Sequence, residues 1–476
     1  MFDVLVIGGG VIGATVLREL TKYNLNVAMV EKCNDVAMGQ SKANSGIVHA
    51  GFDAKEGSLK AKFNVLGNKM MQSYANELGV KFRVNGSLVV AFSDAELETV
   101  KELKTRGEIN GVEGLEVIGQ EELRKLEPNI SSDAVGALLA KTGAIVCPYD
   151  LTIAAIGNAM DNGASLYVDY EVTKIVKDAN GFKVYAVGGR VLETKVIVNA
   201  AGLGSGKISA LAGDETFTVG GRKGEYILLD RESGNFVSHT IFKTPTKKGK
   251  GILVTQTVDG NILLGPTAEE VDTDETFTSQ EGLSFVTSTA NEMCKNVPHF
   301  NTITSFAGIR AYNDRHDFII ENSPVVNGLI NLAGIESPGL TSAPAIAKYT
   351  VEELVSKHLA LEENKNFNGV RKPDYFFKNL TVEEKNEVIK KDKRYGKIVC
   401  RCEEITEGEI VRVIHENPKA TSVDAVKRRV RAGMGRCQGG FCQPHVAEIL
   451  ARELNIPFEE VTKNGKNSKL LVGKTK

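Results

Sequence analysis

The chain has no tryptophan, only seven histidines in 476 residues, and no apolar run long enough to span a bilayer. It has almost no net charge, because 58 basic and 60 acidic side chains leave a formal −2. That balance gives no electrostatic reason to expect nucleic acid or an anionic lipid surface as a partner. The N-terminus lacks a basic n-region and a short apolar h-region, so no signal peptide is expected. No transmembrane segment is expected either, and the expected location is the cytosol, with any membrane association coming through a partner. Seven cysteines in that reducing compartment argue against disulfides and for free thiols or metal ligands. The length suits two or three domains and a sizeable core.

What is present starts at residue 3. Asp3-Val-Leu-Val-Ile7 is an apolar run suited to a buried strand. Gly8-Gly-Gly-Val-Ile-Gly13 follows at once and fits G-x-G-x-x-G. Residues 14–23 read as a helix, residues 26–30 as a second strand, and Glu31 stands at its end. Gly8 permits the tight turn, Gly10 lets a pyrophosphate approach the backbone, and Gly13 lets helix and strand pack closely. The helix start, with Val11 and Ile12, offers unpaired N–H groups and positive dipole. Glu31 is placed to accept hydrogen bonds from an adenosine ribose, and Lys32 beside it joins the candidate contacts. The order strand, turn, helix, strand, acid makes this a dinucleotide site; the motif alone does not separate FAD from NAD.

Further along, Gly39-Gln-Ser41 and Asn44-Ser-Gly-Ile-Val-His-Ala-Gly51 are rich in small residues that allow close approach to a ligand. Ser41, Ser45 and Gly46 are candidate cofactor contacts there, and Ser45 is also a candidate for substrate. His49 lies among them, which favours function over a core histidine. Residues 58–78 look like an amphipathic helix, 82–91 like strands, and 94–127 like helix with a loop at 111–114. Cys147 precedes a helix over 149–160 and reads as a buried small residue. Val172 is expected near an adenine. Asn199-Ala-Ala-Gly202 ends an apolar strand and returns Ala201 and Gly202 to the nucleotide. No second unit of strand, G-x-G-x-x-G, helix and acid is present, which argues against an internal NAD domain. Residues 219–319 read as strand-rich. Arg310 sits in the apolar stretch Phe306-Ala-Gly-Ile-Arg-Ala-Tyr312 and needs a partner there, either an anionic substrate or a carboxylate such as Asp314 or Asp317. Glu336-Ser-Pro-Gly-Leu-Thr-Ser342 turns into a helix whose N-terminus can hold partial negative charge.

Four of the seven cysteines fall late, as Cys400-Arg-Cys402 and Cys437-Gln-Gly-Gly-Phe-Cys442. Both zinc and a 2Fe–2S cluster accept four thiolates, with His445 as a competing ligand. Gly439 and Gly440 would let N–H groups approach cluster sulfides. Between the pairs lie one or two helices and the basic run Lys427-Arg-Arg-Val-Arg431; the stretch Lys427 to Arg436 reads either as a guide for an acidic redox partner or as a solvated helix face.

Residues 1–357 resemble the D-amino-acid-oxidase-type FAD oxidoreductases, and among them glycerol-3-phosphate oxidases and dehydrogenases and L-2-hydroxyglutarate oxidases. The resemblance rests on Gly8 to Gly13 with Glu31, on residues 44–51 and 199–202, on Gly265-Pro266 and on Gly334 to Thr341. It implies FAD as cofactor and an α/β fold. A Rossmann-type FAD-binding domain (about 1–80, 145–215 and 320–357) is interleaved with a mixed-sheet substrate domain (about 81–144 and 216–319). It implies His49 as the base and Arg310 as the holder of a substrate anion. It also implies that Ser337 meets substrate and that Gly334, Pro338, Gly339, Leu340 and Thr341 lie along the flavin. The lysines before Gly251 read mostly as a solvated loop, with Lys248 or Lys250 as candidate helpers of Arg310. The cysteine spacing and residues 433–442 resemble the bacterioferritin-associated-ferredoxin-like domain, which implies a 2Fe–2S cluster on Cys400, Cys402, Cys437 and Cys442. The expected layout adds a linker at 358–396, a small helical 2Fe–2S domain at 397–455 and a polar tail at 456–476.

Together these imply a dehydrogenase that oxidises a small anionic 2-hydroxy compound. Its electrons leave through the cluster to a redox partner protein or subunit. The expected substrate is sn-glycerol 3-phosphate, giving dihydroxyacetone phosphate. L-2-hydroxyglutarate is the close alternative and secondary-amine or opine oxidation a distant one. An electron-transfer subunit whose flavin site has lost its substrate is the reading from another class.

Overall fold

The computed structural model describes residues 1–245, 251–371 and 376–473. Its first sheet holds five parallel strands in the order Ser165–Tyr167, Val27–Val30, Phe2–Ile7, Val191–Asn199 and Leu329–Ala333. Val4 to Ile7 are buried throughout, as a strand covered on both faces must be. Helices Val11–Leu20, Pro148–Asp161 and Gly339–Tyr349 cover one face through Leu17, Ile156 and Ile346. On the other face, Val172–Asp178 and Gly181–Ala186 form an antiparallel ladder leading into Val191–Asn199. Ile7 and Asn199 are register partners, so the turns after both strands open at one crevice. Such crevices at strand C-termini are where open α/β sheets bind ligands.

The second sheet is mixed and nine-stranded. Its spine is Val219–Leu229 against Thr302–Asn313, antiparallel, with Arg222 opposite Arg310, Gly224 opposite Gly308 and Tyr226 opposite Phe306. These alternate residues share one face. That face meets the loop after the nucleotide unit so closely that a Cβ on Gly308 would lie 2.1 Å from the Ala43 carbonyl oxygen. The second sheet therefore closes over the crevice of the first, in agreement with the expected fold class.

The C-terminal module has its own core, built by Ile398–Cys400, Ile405–Thr406 and the helices Glu407–His415, Val423–Val430 and Gln443–Leu454. The chain leading to it is tied down. Asn24 N–H donates to Glu362 O, Asn364 N–H to Lys22 O, and Arg371 N–H to Glu77 O. The helix Val382–Lys391, capped by Thr381, is exposed along its length.

Three local expectations differ from the structure. Leu115–Gly119, expected as helix, is a strand, because Leu115 and Ile118 bury against Gly136–Ala140, which follow much later in the chain. Gln280–Met293, inside the region read as strand, is a helix whose Leu283, Val286, Ala290 and Met293 face the second core. The polar tail is not loose where it is described, since Val461 is buried and the Thr462 carbonyl accepts from Val423 N–H.

Candidate functional site

A cavity of about 1540 Å³ runs between the two sheets, from the first glycine turn to Arg310. At its nucleotide end, Gly8 turns the chain at φ +113°, and a Cβ on Gly13 would lie 2.1 Å from the Gly8 carbonyl oxygen. Only glycine permits that contact of helix on strand. The helix Val11–Leu20 has no side-chain cap at Gly10, which leaves first-turn amides for a ligand. Ser41 Oγ accepts the Val11 N–H at 2.9 Å. The Glu31 carboxylate is held by Gly9 N–H at 2.7 Å and Cys33 N–H at 2.9 Å, so it faces the cavity in one orientation. Val11, Ile12, Lys32, Val172, Ala201 and Gly202 also line this end.

At the other end stands His49, which follows the short strand Ile47–Val48. Its backbone is fixed from two directions. Thr341 Oγ1 accepts its N–H at 2.9 Å, and Asn64 and Asn68, on the helix Leu59–Glu77, donate to its carbonyl at 2.7 and 3.1 Å. Its Nε2 lies 3.3 Å from Ser337 Oγ, and its ring centroid lies 5.8 Å from that of Phe242. Ser45, Ser337, Pro338, Gly339 and Leu340 line the cavity beside it. Thr341, Gly334, Gly46 and Gly13 are not among the lining residues. Thr341 is fully buried and acts on the site through the His49 backbone.

Arg310 completes this end. Its Nη2 donates to the Thr267 carbonyl at 2.8 Å. Its Nε is buried with no hydrogen-bond partner among the described residues. The two carboxylates weighed as partners are engaged elsewhere. Asp314 accepts from Thr218, and Asp317 accepts the Leu59 and Lys60 N–H groups at a helix start. Beside Arg310, burial pushes the Tyr226 phenol up, opposed by the Arg310 charge and a hydrogen bond with Ser45. Lys248 and Lys250 lie outside the described residues.

In the C-terminal module the four late cysteines fall into two pairs. Cys402 and Cys437 have their sulfurs 3.6 Å apart and are partly exposed, while Cys400 and Cys442 are buried and share a hydrogen bond. The Cys442 thiol, then the Gly433 and Glu403 N–H groups, hold Cys400 below the usual thiol range. Burial would raise Cys437, but the Phe441 and Gly439 N–H groups bring it down. The Gly440 N–H goes instead to the Cys437 carbonyl. His445, the competing candidate, pairs with Glu448 at the surface. Among the described residues no three His, Cys, Asp or Glu groups converge on one ion.

Of the basic stretch, Arg428, Arg429 and Arg431 are buried, Lys427 is half-buried and Arg436 is exposed. Arg428 and Arg429 are buried on Asp35, at 2.6 and 2.8 Å, just past Glu31. Burial alone would raise the Asp35 carboxyl, but Arg429 and Arg428 overcome it and hold it down at about 2. Arg431 is buried between Asp259 (2.7 Å) and Glu403 (3.0 Å). The three buried arginines are therefore spent inside the chain, fastening the cysteine module to both sheets, because each guanidinium meets a desolvated carboxylate.

The chain matches the family described as FAD dependent oxidoreductase over residues 3–353. It belongs to that family. Residues 398–452 match the BFD-like [2Fe-2S] binding domain. A glycerol 3-phosphate dehydrogenase of Caloramator mitchellensis is 50% identical over 100% of this chain and 99% of that one. An L-2-hydroxyglutarate dehydrogenase of Escherichia coli is 31% identical over 56% of this chain and 64% of that one. The solved dithionite-reduced L-alpha-glycerophosphate oxidase from Mycoplasma pneumoniae, with FAD bound, superposes with a TM-score of 0.74 at 32% identity, covering 78% of this chain and 98% of that one.

This FAD-dependent oxidoreductase thus carries two cofactors, FAD and a 2Fe–2S cluster. The residues fit both. The open helix start, the fixed Glu31 and the size of the cavity suit a dinucleotide, and four cysteines in two pairs suit two irons that each take two thiolates. Sequence reasoning missed Tyr226 and the Asp35 lock. The first was signalled by Arg222, Gly224 and Tyr226 alternating along one strand. The second was signalled by an arginine pair within a short amphipathic helix whose Val423, Val426 and Val430 are core. Among the described residues no helix is long and apolar enough to cross a membrane.

Proposed function

We propose that this oxidoreductase is a glycerol-3-phosphate dehydrogenase, forming dihydroxyacetone phosphate and passing electrons through the cluster to a one-electron acceptor. The observation that carries the reading is the buried Arg310 Nε, without a carboxylate partner among the described residues, in the same cavity end as His49. The name of the full-length Caloramator relative supports it.

Arg310 holds the phosphate. The Thr267 carbonyl fixes one end of the guanidinium, and the remaining N–H groups give charge-assisted bonds to phosphate oxygens. FAD, when bound, accepts the hydride from the carbinol carbon. His49 Nε2 takes the hydroxyl proton, because a hydride leaving while oxygen keeps its proton would produce a protonated carbonyl. Ser337 Oγ, 3.3 Å from Nε2, can donate to it in the unprotonated state that a base needs. The Asn64, Asn68 and Thr341 bonds to its backbone keep the imidazole in place.

L-2-hydroxyglutarate is the second reading, favoured by the Escherichia coli relative and by the same base and anion pair. The test is anaerobic bleaching of the flavin. Glycerol 3-phosphate should bleach it fastest. Faster bleaching by L-2-hydroxyglutarate would replace the substrate, a secondary amine would replace the chemistry, and no bleaching by any of them would make the chain an electron-transfer subunit.

A further inference from the structure

The cysteine module is held to the rest of the chain by charged contacts at Asp35, at Asp259 and at Asp230 with Glu232. The contact at Tyr149 is of another kind. Tyr149, at the start of the helix Pro148–Asp161, donates its hydroxyl to Met434 Sδ at 3.5 Å. The same hydroxyl shares a hydrogen bond with the buried Cys147 thiol. A phenol between two sulfurs, partly buried and packed against the first core, contributes little to docking beside the buried arginines. Its place in the chain of contacts is more informative.

On the flavin side, Val146 N–H donates to the Gly46 carbonyl at 2.8 Å, and Ser45 and Ile47 on either side of Gly46 line the cavity. Cys147 follows Val146. On the cluster side, Met434 follows Gly433, whose N–H points at the Cys400 sulfur. A short run of covalent bonds and close polar contacts therefore leads from the cavity wall to the cysteine module. Its only step between domains is the Tyr149–Met434 contact. Electronic coupling decays more slowly through bonds and hydrogen bonds than across gaps.

We propose that the Tyr149–Met434 contact is the link by which electrons cross from the flavin to the cluster, entering at Cys400. The proposal rests on the reading that electrons leave through the cluster. Each substrate oxidation delivers two electrons to FAD with the hydride, and one proton to His49. The cluster takes one electron, converting one ferric ion to ferrous, and hands it to an external one-electron acceptor. The second electron then follows, and the hydride's proton is released from the flavin to solvent. Tyr149 is neither oxidised nor deprotonated. Burial, with Cys147 adding to it, pushes its phenol well above the usual range. Entry is at the buried sulfur pair, which leaves the partly exposed pair Cys402 and Cys437 as the exit. The competing crossing is the Arg231 guanidinium on the Cys402 carbonyl, 2.7 Å, at the end of the strand that carries Tyr226.

The test uses holoenzyme with both cofactors. Flavin is reduced anaerobically by substrate or, independently of substrate, by a photoreductant. Flavin bleaching is followed by absorbance and cluster reduction by freeze-quench EPR. Tyr149→Phe and Met434→Leu should each slow cluster reduction several-fold at unchanged flavin bleaching, and the double variant should be no slower than the slower single one. Iron, sulfide and FAD contents and the melting midpoint should match wild type. Should one variant lose its cluster, the other still decides. Cluster reduction at the wild-type rate in these variants, or slowed only by Arg231→Lys, would overturn the route. A wild-type cluster that stays oxidised beside photoreduced flavin would overturn both the route and the electron path it rests on. Failure of glycerol 3-phosphate alone would touch only the substrate assignment.

Discussion

Asp35→Asn tests the fastening of the cluster module. The carboxylate side chain is 4% exposed, and it neutralises two guanidinium groups that are 7% and 5% exposed. Removing its charge leaves both arginines buried without a counter-ion, since no other carboxylate reaches them among the described residues. Breaking a buried pair in this way typically costs about 3–5 kcal/mol. A second figure comes from protonation. The carboxyl is held at about 2 against an ordinary 3.8. At about 1.4 kcal/mol per unit, that is about 2–3 kcal/mol of linkage. The folded value is depressed, so this stability is fully present above the unfolded value and is lost as pH falls from about 4 towards about 2. At pH 7 the substitution should remove all of it, and it should flatten the acid limb of the stability curve. Because the module has its own core, the expected outcome is undocking rather than global unfolding. An early calorimetric transition should appear, with proteolysis in the chain around 376–396 and FAD retained. Replacing Asp35, Arg428 and Arg429 together by apolar residues should recover most of the loss, because such swaps are often neutral or stabilising. An Asp35→Asn protein whose module melts within about 0.5 kcal/mol of wild type would refute the reasoning.

His49→Ala, loaded with FAD, should bleach about 10²–10⁴-fold more slowly in stopped flow, with partial recovery at higher pH; a rate within a few-fold of wild type removes His49 from proton transfer. Arg310→Lys keeps the charge but loses the planar fork, so apparent substrate affinity should fall markedly in a titration of bleaching rate, and unchanged affinity would make Arg310 structural. Cys400→Ser should remove iron and acid-labile sulfide, about two of each in wild type, while flavin reduction by substrate persists; stoichiometric zinc without sulfide would contradict the cluster.

The readable parts of the sequence were those with local rules. The glycine spacing, the strand before it and Glu31 after it encode one compact unit, and its helix start and acid stand at the cavity as expected. Cysteine spacing was readable because thiolate clusters need four sulfurs at short separations. His49 stood out by its neighbours, and the cavity includes it. Long-range partners were less readable. Leu115–Gly119 lies among charged residues typical of helices and becomes a strand only because Gly136–Ala140 offers an edge. Gln280–Met293 has poor helix formers but an apolar spacing that fits the period of a helix, and propensity hid the pattern. The arginine run carried no sign of its partner, since Asp35 is nearly 400 residues away in the chain.

That distance bears on why charge is used at this interface at all. Apolar residues at Asp35, Arg428 and Arg429 could dock the module with similar stability, but an apolar contact tolerates sliding, whereas a carboxylate bonded by two guanidinium groups sets one register. A second register point follows at once in the sequence, where Arg431 is fixed between Asp259 of the substrate sheet and Glu403 of the module's own cysteine loop. Three residues beyond Arg431 comes Met434, and its sulfur meets Tyr149. The buried ion pairs thus orient the loop that carries Gly433 to Cys442 against both sheets. On the proposed route, in which the cluster receives electrons one at a time, transfer depends more on that orientation than on the strength of the docking.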